Sequence, residues 1–315
     1  MSGDLHKAGP VVEPDAGMAA ELPPGARLSE LRAALANRLR RAGIEEDTFE
    51  ADLLLRWLLG CDRAGLVLAA EQPLAETRRQ RLLAALARRE RREPLAYIMG
   101  EWEFWSLPFA VNPAVLIPRP ETELLVEQAL AFVRLTETAA GRQRSWRILD
   151  LGTGSGILAV VLARELPAAR VMALDRSPAA LALASANARR HGVAARISFV
   201  GSDWLSALAV RPAFDLVVAN PPYVVRRDLQ TLQPEVRNYE PRGALDGGEQ
   251  GLDDIATIAR QLPAVLASGG LLLMEIGWDQ KEAVAGLFAH DPAYRQVEIL
   301  NDLAGLPRVL RCRRR

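Results

Sequence analysis

Cysteine and lysine are almost missing from this 315-residue chain, and it has no long apolar run. Cys61 and Cys312 are the only cysteines, far apart, and no His or Cys sits near them at metal-ligand spacing. That excludes a disulfide framework and points to no metal site, and it fits a reducing, cytoplasmic compartment. No stretch reaches the roughly 18 apolar residues of a membrane span. The opening "MSGDLHKAGPVVEPDAGMAAELPPGA" lacks the apolar centre of a signal peptide, so neither export nor membrane insertion is expected. Formal charge is zero, which removes the global field that a general nucleic-acid binder carries and leaves only local basic patches. Lys7 and Lys281 are the only lysines, and the arginines that replace them are spread through almost every segment. Genomic base composition explains this more simply than a set of phosphate clamps.

What is present is half apolar and a quarter charged, the profile of a globular protein with a sizeable core, expected as one large domain and one small. Residues 1–26 are rich in Pro, Gly and Ala without periodicity and read as a disordered tail. Leu28, Leu31, Leu35 and Leu39 then recur at helical spacing, followed by "ADLLLRWLLG" and "RRQRLLAALARRERR", so residues 27–93 predict a small helical domain. Arg78 to Arg92 holds seven arginines against one glutamate, most simply a solvated helix face. Residues 94–119, aromatic and punctuated by proline, predict a linker with a hairpin. A third segment, 120–315, opens with a helix at Pro120.

From Arg147 the period changes. "RILDLG", "RVMALD", "RISFVG", "FDLVVAN", "GGLLLMEIG", "YRQVEIL" and "PRVLRCR" are apolar strand-like runs separated by Ala-rich helical stretches. This predicts an α/β fold with a mainly parallel sheet and helices on both faces, which binds ligands at the carboxyl ends of its strands.

Those ends carry the chemistry. The first delivers "DLGTGSG", with Gly152, Thr153, Gly154, Ser155 and Gly156 leading into a helix; glycines there let a ligand approach the backbone and the helix N-terminus. The spacing differs from the G-x-G-x-x-G of nicotinamide enzymes, because Ile157 stands where the third glycine would be. Asp175 ends the second strand a little over 20 residues beyond Gly152, where a carboxylate can accept both hydroxyls of a ribose. It also precedes a helix start at Ser177 and Pro178. Asp203 and Trp204 end the third strand; an acid there can accept from an adenine amino group and an indole can cover the base, with ordinary core packing as the alternative for the tryptophan. Together the three ends suit a nucleoside cofactor.

The fourth strand delivers "NPPY", Asn220 to Tyr223. Neither proline can donate to a sheet ladder, so the stretch is poorly suited to continuing a strand. It is well suited to holding a planar amino group. The Asn220 side-chain oxygen and the Pro221 carbonyl can accept its two hydrogens, and the Tyr223 ring can stack on its face. Such a nitrogen is a weak nucleophile, and fixing its plane directs it at an electrophile while stabilising the charge that develops.

In this order, the glycine loop, Asp175, Asp203-Trp204 and Asn-Pro-Pro-Tyr resemble the class I S-adenosylmethionine-dependent methyltransferases, with their Rossmann-like seven-stranded sheet. The closer resemblance is to the PrmC/HemK family of protein-(glutamine-N5) methyltransferases, which modify the Gly-Gly-Gln glutamine of class I peptide chain release factors. It spans Leu28 to the C-terminus and rests on "RREPLAYIMGEWEFWSLPFAVNPAVLIPRPETELLVEQAL", "DLGTGSG", "GSDWL", "NPPY" and "EPRGAL". The resemblance implies that Gly152 to Gly156, Asp175, Trp204 and Asn220 bind S-adenosylmethionine. Asn220, Pro221, Pro222 and Tyr223 would hold the substrate glutamine, with Asn220, Pro221 and Tyr223 the catalytic set; Asp203 joins the cofactor set on the adenine argument. It also implies that the helical domain docks a release-factor partner. Phe104 and Trp105 are candidates to wall the site, with packing beside Leu107 and Phe109 as the competing account. The alternative activity is a nucleic-acid amino methyltransferase acting on adenine N6 or guanine N2, which faces the same chemical problem but usually carries a basic recognition surface. A catalytically inactive adaptor and a nicotinamide-binding protein are weaker rivals.

Overall fold

The computed structural model describes residues 22–315, and these form two compact units, one ending at Met99 and one running Gly100–Arg315. The expected tail lies outside the described residues up to residue 21. Its last five positions do not behave as a tail. Leu22 is fully buried among the leucines of the first unit, its carbonyl accepts from Arg79 Nη1 at 2.9 Å, and Ala26 is buried as well.

The first unit is built from helices Leu28–Arg41, Asp47–Leu59, Arg63–Leu68, Glu76–Glu90 and the short Leu95–Met99. Leu28, Leu31, Leu35 and Leu39 form one apolar stripe and bury against Leu54, Leu55, Leu82 and Leu86. The second helix stops because Gly60 takes a left-handed conformation, and the Asp62 side chain caps the third by accepting from Gly65 N at 2.8 Å. The arginine-rich segment is not simply a solvated face. Arg89 is buried and forms a forked pair with Glu50, at 2.6 and 3.0 Å, while Glu90 receives buried Arg38 in the same way at 2.7 Å. Arg89 finds its acid on another helix, and Glu90 receives an arginine from another, so charge counting along the segment does not reveal the pairing.

The expected 94–119 linker divides at Gly100. Leu95–Met99 is helical and belongs to the first unit, whereas the second unit opens with an antiparallel hairpin, β1 (Glu101–Phe104) and β2 (Leu107–Ala110). Buried Asn187 holds that hairpin: its Oδ1 accepts from Ala110 N at 2.9 Å and its Nδ2 donates to Ala110 O at 3.0 Å.

The seven strands read from Arg147 onward all form: β3 (Arg147–Leu151), β4 (Arg170–Asp175), β5 (Ile197–Gly201), β6 (Phe214–Ala219), β7 (Leu266–Glu275), β8 (Tyr294–Asn301) and β9 (Pro307–Arg314). They make one sheet in the order β5-β4-β3-β6-β7-β9-β8, parallel from β5 to β7 and antiparallel at both contacts of β9. Alternation along the strands loads both faces. Ile148, Val171, Leu216, Val218 and Leu271 pack with Leu125 and Val126 of helix Glu123–Ala140 and with Leu158 to Ala163 of helix Ile157–Glu165. Leu149, Leu151, Val217, Leu272 and Met274 pack on the other side with Ile255, Ile258, Val284 and Phe288. Among the described residues no helix is long and apolar enough to cross a membrane.

The burial of Leu22 generates a prediction. A chain starting at residue 27 is expected to be less stable than one starting at residue 22 by about 1.5–3 kcal/mol in its helical unit, the value of one buried leucine. Denaturant unfolding followed by a probe in that unit measures the difference, and equal midpoints would show that Leu22 contributes nothing.

Candidate active site

The sheet order puts the ends of β5, β4, β3 and β6 side by side, and an open cleft lies over them. Gly152, Thr153, Gly154, Ser155, Asp175, Asp203, Trp204, Asn220 and Pro222 line it. Residues 114–119 and Pro241, Gly243 and Ala244 add to its walls. Gly156, Pro221 and Tyr223 are the expected site residues that do not line it. Gly156 instead permits helix packing: a Cβ there would stand 2.9 Å from Ala184 Cβ, at a φ of +85°.

The glycine loop is held from beneath by Asp150. Its Oδ2 accepts from the Thr153 hydroxyl at 2.6 Å and from Ala159 N at 3.2 Å, tying the loop to the helix that follows. Its other oxygen, Oδ1, has no partner. Burial pushes this carboxyl up to about 7, against the opposing effect of the Thr153 and Ala159 bonds. From above, Asp175 accepts Gly154 N on Oδ2 and Ser177 N on Oδ1, both at 2.9 Å, so each oxygen keeps lone-pair capacity toward the cleft. Ser177 caps the next helix by accepting from Ala180 N, as its place before Pro178 suggests. Asn187 donates to Ser155 O at 2.8 Å and so ties the hairpin to the glycine loop.

Trp204 adopts a φ of 47°, a left-handed conformation rare for a bulky residue. The Ser202 hydroxyl donates to its carbonyl at 2.7 Å, and its Nε1 donates to Asp254 Oδ1 at 2.8 Å. The indole is thereby laid beside Gly152, where an added Cβ would meet its ring carbon at 3.5 Å. The ring both lines the cleft and packs against the core on that side of the sheet.

At the end of β6, Asn220 is half-buried on the cleft wall and its Nδ2 donates to Thr122 Oγ1 at 3.3 Å. Pro221 is buried, and Tyr223 reaches away from the loop to donate its hydroxyl to Glu275 Oε1 at 3.2 Å. Glu275 ends β7 and is buried; its Oε2 accepts from the Thr122 hydroxyl at 2.7 Å. Burial raises the Glu275 carboxyl above the usual range, opposed by the Thr122 bond and by the positive charge of Arg308. Burial likewise raises the Tyr223 hydroxyl, with the Glu275 charge adding to it, so the phenol stays protonated. On the opposite wall, Glu240 accepts from Ile117 N at 3.2 Å and from Arg119 Nη2 at 2.5 Å, joining the segment after the hairpin to "EPRGAL".

Phe104 and Trp105 do not wall the cleft. Phe104 is buried edge-on against Phe109, with ring centroids 6.3 Å apart, and Trp105 directs its Nε1 to Glu165 at 3.3 Å. The hairpin turns these rings onto the helix layer, the packing account stated above. Thr122, Asp254, Glu240, Asn187 and Glu275 were missed. Only Glu275 carried a signal, an acid at the end of an otherwise apolar strand on the ligand-binding edge of the sheet. No group of acids, histidines and cysteines among the described residues is arranged to hold a metal ion.

The sheet order and the cleft at its switch point define a class I methyltransferase fold. The hMettl16 catalytic domain, solved in complex with the MAT2A 3'UTR hairpin 1, has the same fold with a TM-score of 0.50, 14% identity and coverage of 78% of this chain and 83% of that one. The family model described as the PrmC N-terminal domain matches residues 30–100, and that of the methyltransferase small domain matches residues 130–235. The release factor glutamine methyltransferase of Geobacter sulfurreducens is 45% identical over 80% of this chain and 84% of its own length. That of Moorella thermoacetica is 43% identical over 90% and 99%, and that of Salmonella typhimurium 43% over 82% and 90%. This chain belongs to the release factor glutamine methyltransferase family.

Asp150 makes the site's pH response testable. Its carboxyl holds a proton more tightly folded than unfolded, so between its ordinary 3.8 and about 7 the folded state carries the extra proton. Stability from this group is therefore present at low pH and is lost as pH rises through about 7. Calorimetric melting of wild type and Asp150→Asn across that range is expected to show wild type losing stability relative to the variant as pH rises. A gap that stays constant with pH would refute the assignment.

Proposed function

We propose that this chain transfers a methyl group from S-adenosylmethionine to the side-chain amide nitrogen of the Gly-Gly-Gln glutamine in class I peptide chain release factors, acting in the cytoplasm. The observation that carries the reading is the position of Asn220, at the end of β6 and lining the same cleft as the glycine loop, in a chain of this family. The cleft suits the cofactor. Asp175 has acceptor capacity left for ribose hydroxyls, Trp204 stands beside Gly152 where it can cover a base, Asp203 can accept from its amino group, and Gly152 to Ser155 offer close backbone approach. S-adenosylmethionine supplies a methyl group on a positively charged sulfur.

The chain's own residues deal with the weak nucleophile. Asn220 Oδ1 and the Pro221 carbonyl accept the two amide hydrogens, Pro222 stiffens the turn, and Tyr223, which does not line the cleft, fixes the end of the turn through its bond to Glu275. The lone pair of the amide nitrogen would be aimed at that methyl group, and the nitrogen would give up one hydrogen to solvent as a proton. Stabilising the charge that grows on nitrogen is the main catalytic contribution, and no strong base is needed. The helical unit, matched by the PrmC N-terminal model, is the proposed docking module for the release factor. Zero net charge speaks against a nucleic-acid substrate as the primary one.

Three experiments test this. Mass spectrometry of a release factor incubated with S-adenosylmethionine is expected to find one methyl group on the Gly-Gly-Gln glutamine and none on DNA or structured RNA. Asn220→Ala is expected to lower kcat by about 10²–10³-fold with cofactor affinity little changed. Methylation of nucleic acid at a matching rate would favour the nucleobase activity instead. Asp175→Ala is expected to weaken S-adenosylmethionine binding by roughly 1.5–3 kcal/mol, as loss of charged hydrogen bonds does. An unchanged Kd in calorimetry would remove Asp175 from the cofactor site.

A further inference from the structure

Behind Asn220 lies a chain of polar groups whose directions are all determined by one buried acid. Glu275 and Thr122 are each 1% exposed. Glu275 Oε1 accepts from Tyr223 and Oε2 from Thr122, so both hydroxyl hydrogens point into the carboxylate. A threonine hydroxyl has one hydrogen, and once it is given to Glu275 the oxygen has only lone pairs to offer. Asn220 must meet Thr122 with its NH₂, which is what the 3.3 Å contact from Nδ2 does. The carbonyl end of the Asn220 amide is left for the cleft.

We propose that Glu275 is a positioning residue that acts through Thr122 to make Asn220 present an acceptor, not a donor, to the substrate, and so sets the preference for an amide over a carboxylate. The inference rests on the reading of Asn220 as the group that holds the substrate nitrogen. A substrate amide offers two hydrogens and needs an acceptor; a glutamate side chain offers only acceptors and would meet Asn220 Oδ1 in repulsion.

The polarity of the chain requires an acid at position 275. Glutamine has the same shape but one donor end. With its NH₂ toward Tyr223, the buried Tyr223 hydrogen would lose its acceptor. With its NH₂ toward Thr122, every group is satisfied, but Thr122 then gives its hydrogen to Asn220 Oδ1 and the Asn220 amide turns over. Buried polar groups adopt the satisfied arrangement, so Glu275→Gln reverses the end of Asn220 that faces the cleft.

The test uses the full chain, a release factor carrying Gly-Gly-Gln, and the same factor carrying Gly-Gly-Glu as a competitive inhibitor. Glu275→Gln is expected to lower kcat by about 10–100-fold. It should retain cofactor affinity and reduce the discrimination between the Gln and Glu factors at least tenfold, because the Glu factor now meets a donor. A packing defect would weaken both factors alike and leave their ratio unchanged. Thr122→Val frees the Asn220 amide without altering residue 275 and is expected to reduce the same ratio, and Thr122→Ser to recover most of what valine loses; this pair decides the matter if Glu275→Gln does not fold. An unchanged ratio in Glu275→Gln, or in Thr122→Val, overturns the relay. Asn220→Ala separates the two readings. If it leaves both kcat and the ratio as in wild type, the substrate-holding role of Asn220 fails; if it abolishes them while Glu275→Gln does not, only the relay fails.

Discussion

Parallel strands end at the same edge of a sheet, and this one constraint brings the whole site together. β3, β4, β5, β6 and β7 run in the same direction, so the glycine loop, Asp175, the Asp203-Trp204 pair, Asn220 and Glu275 emerge along one edge in the order of the strands that carry them. The order matters as much as the direction. The chain leaves β3 toward β4 and β5 on one side and places β6 and β7 on the other, which opens the crevice at β3. The nucleoside-compatible groups stand on β3 to β5, and the amide-compatible groups on β6, immediately across that crevice.

A second constraint is the cost of burying polar groups without partners, and here it organises the loops. Asp150, Asn187, Glu240 and Glu275 are all buried, and each joins two segments through its side chain, for the last three segments far apart in sequence. Asp150 joins the glycine loop to its helix, Asn187 the hairpin to Ser155, Glu240 the wall at Ile117 to the segment after the Asn-Pro-Pro-Tyr turn, and Glu275 the helix start at Thr122 to Tyr223. Each bond is worth only about 0.5–1.5 kcal/mol net, but a buried group left without its partner costs more than the bond supplies. The loops are thus held where movement would leave a polar atom unsatisfied. Asp150 Oδ1 is the exception beneath the glycine loop, and the raised carboxyl there follows from that burial.

The elements that the sequence made legible were those whose signal is local. Strands of four to six apolar residues bounded by glycine or a polar residue, leucines at three- and four-residue spacing, Ser177-Pro178 as a helix start, and the glycines of the cofactor loop all act through neighbours on the same element. Asp175 and Asn220 were legible for a related reason: a polar residue ending an apolar strand has one place to be. The hairpin was found, but its unit was not, because its attachment depends on Asn187, 77 residues away from Ala110. Leu22 was assigned to a tail because one leucine among prolines and glycines has no periodicity to show, although it is fully buried. Phe104 and Trp105 sit beside site-like residues in the chain, but the direction of the hairpin turns them elsewhere.

Residue types at strand ends were enough to pick out residues that line one cleft, since strand direction and chain order follow from the pattern of apolar runs. Which end of the Asn220 amide faces the cleft, which face Trp204 presents, and which acids are buried beneath them depended on the assembled fold. Thr122 and Glu275 are 153 positions apart and share no spacing rule. They meet because helix start and strand end are packed at the same edge of the sheet, where the buried Thr122 hydroxyl gives its hydrogen to the Glu275 carboxylate.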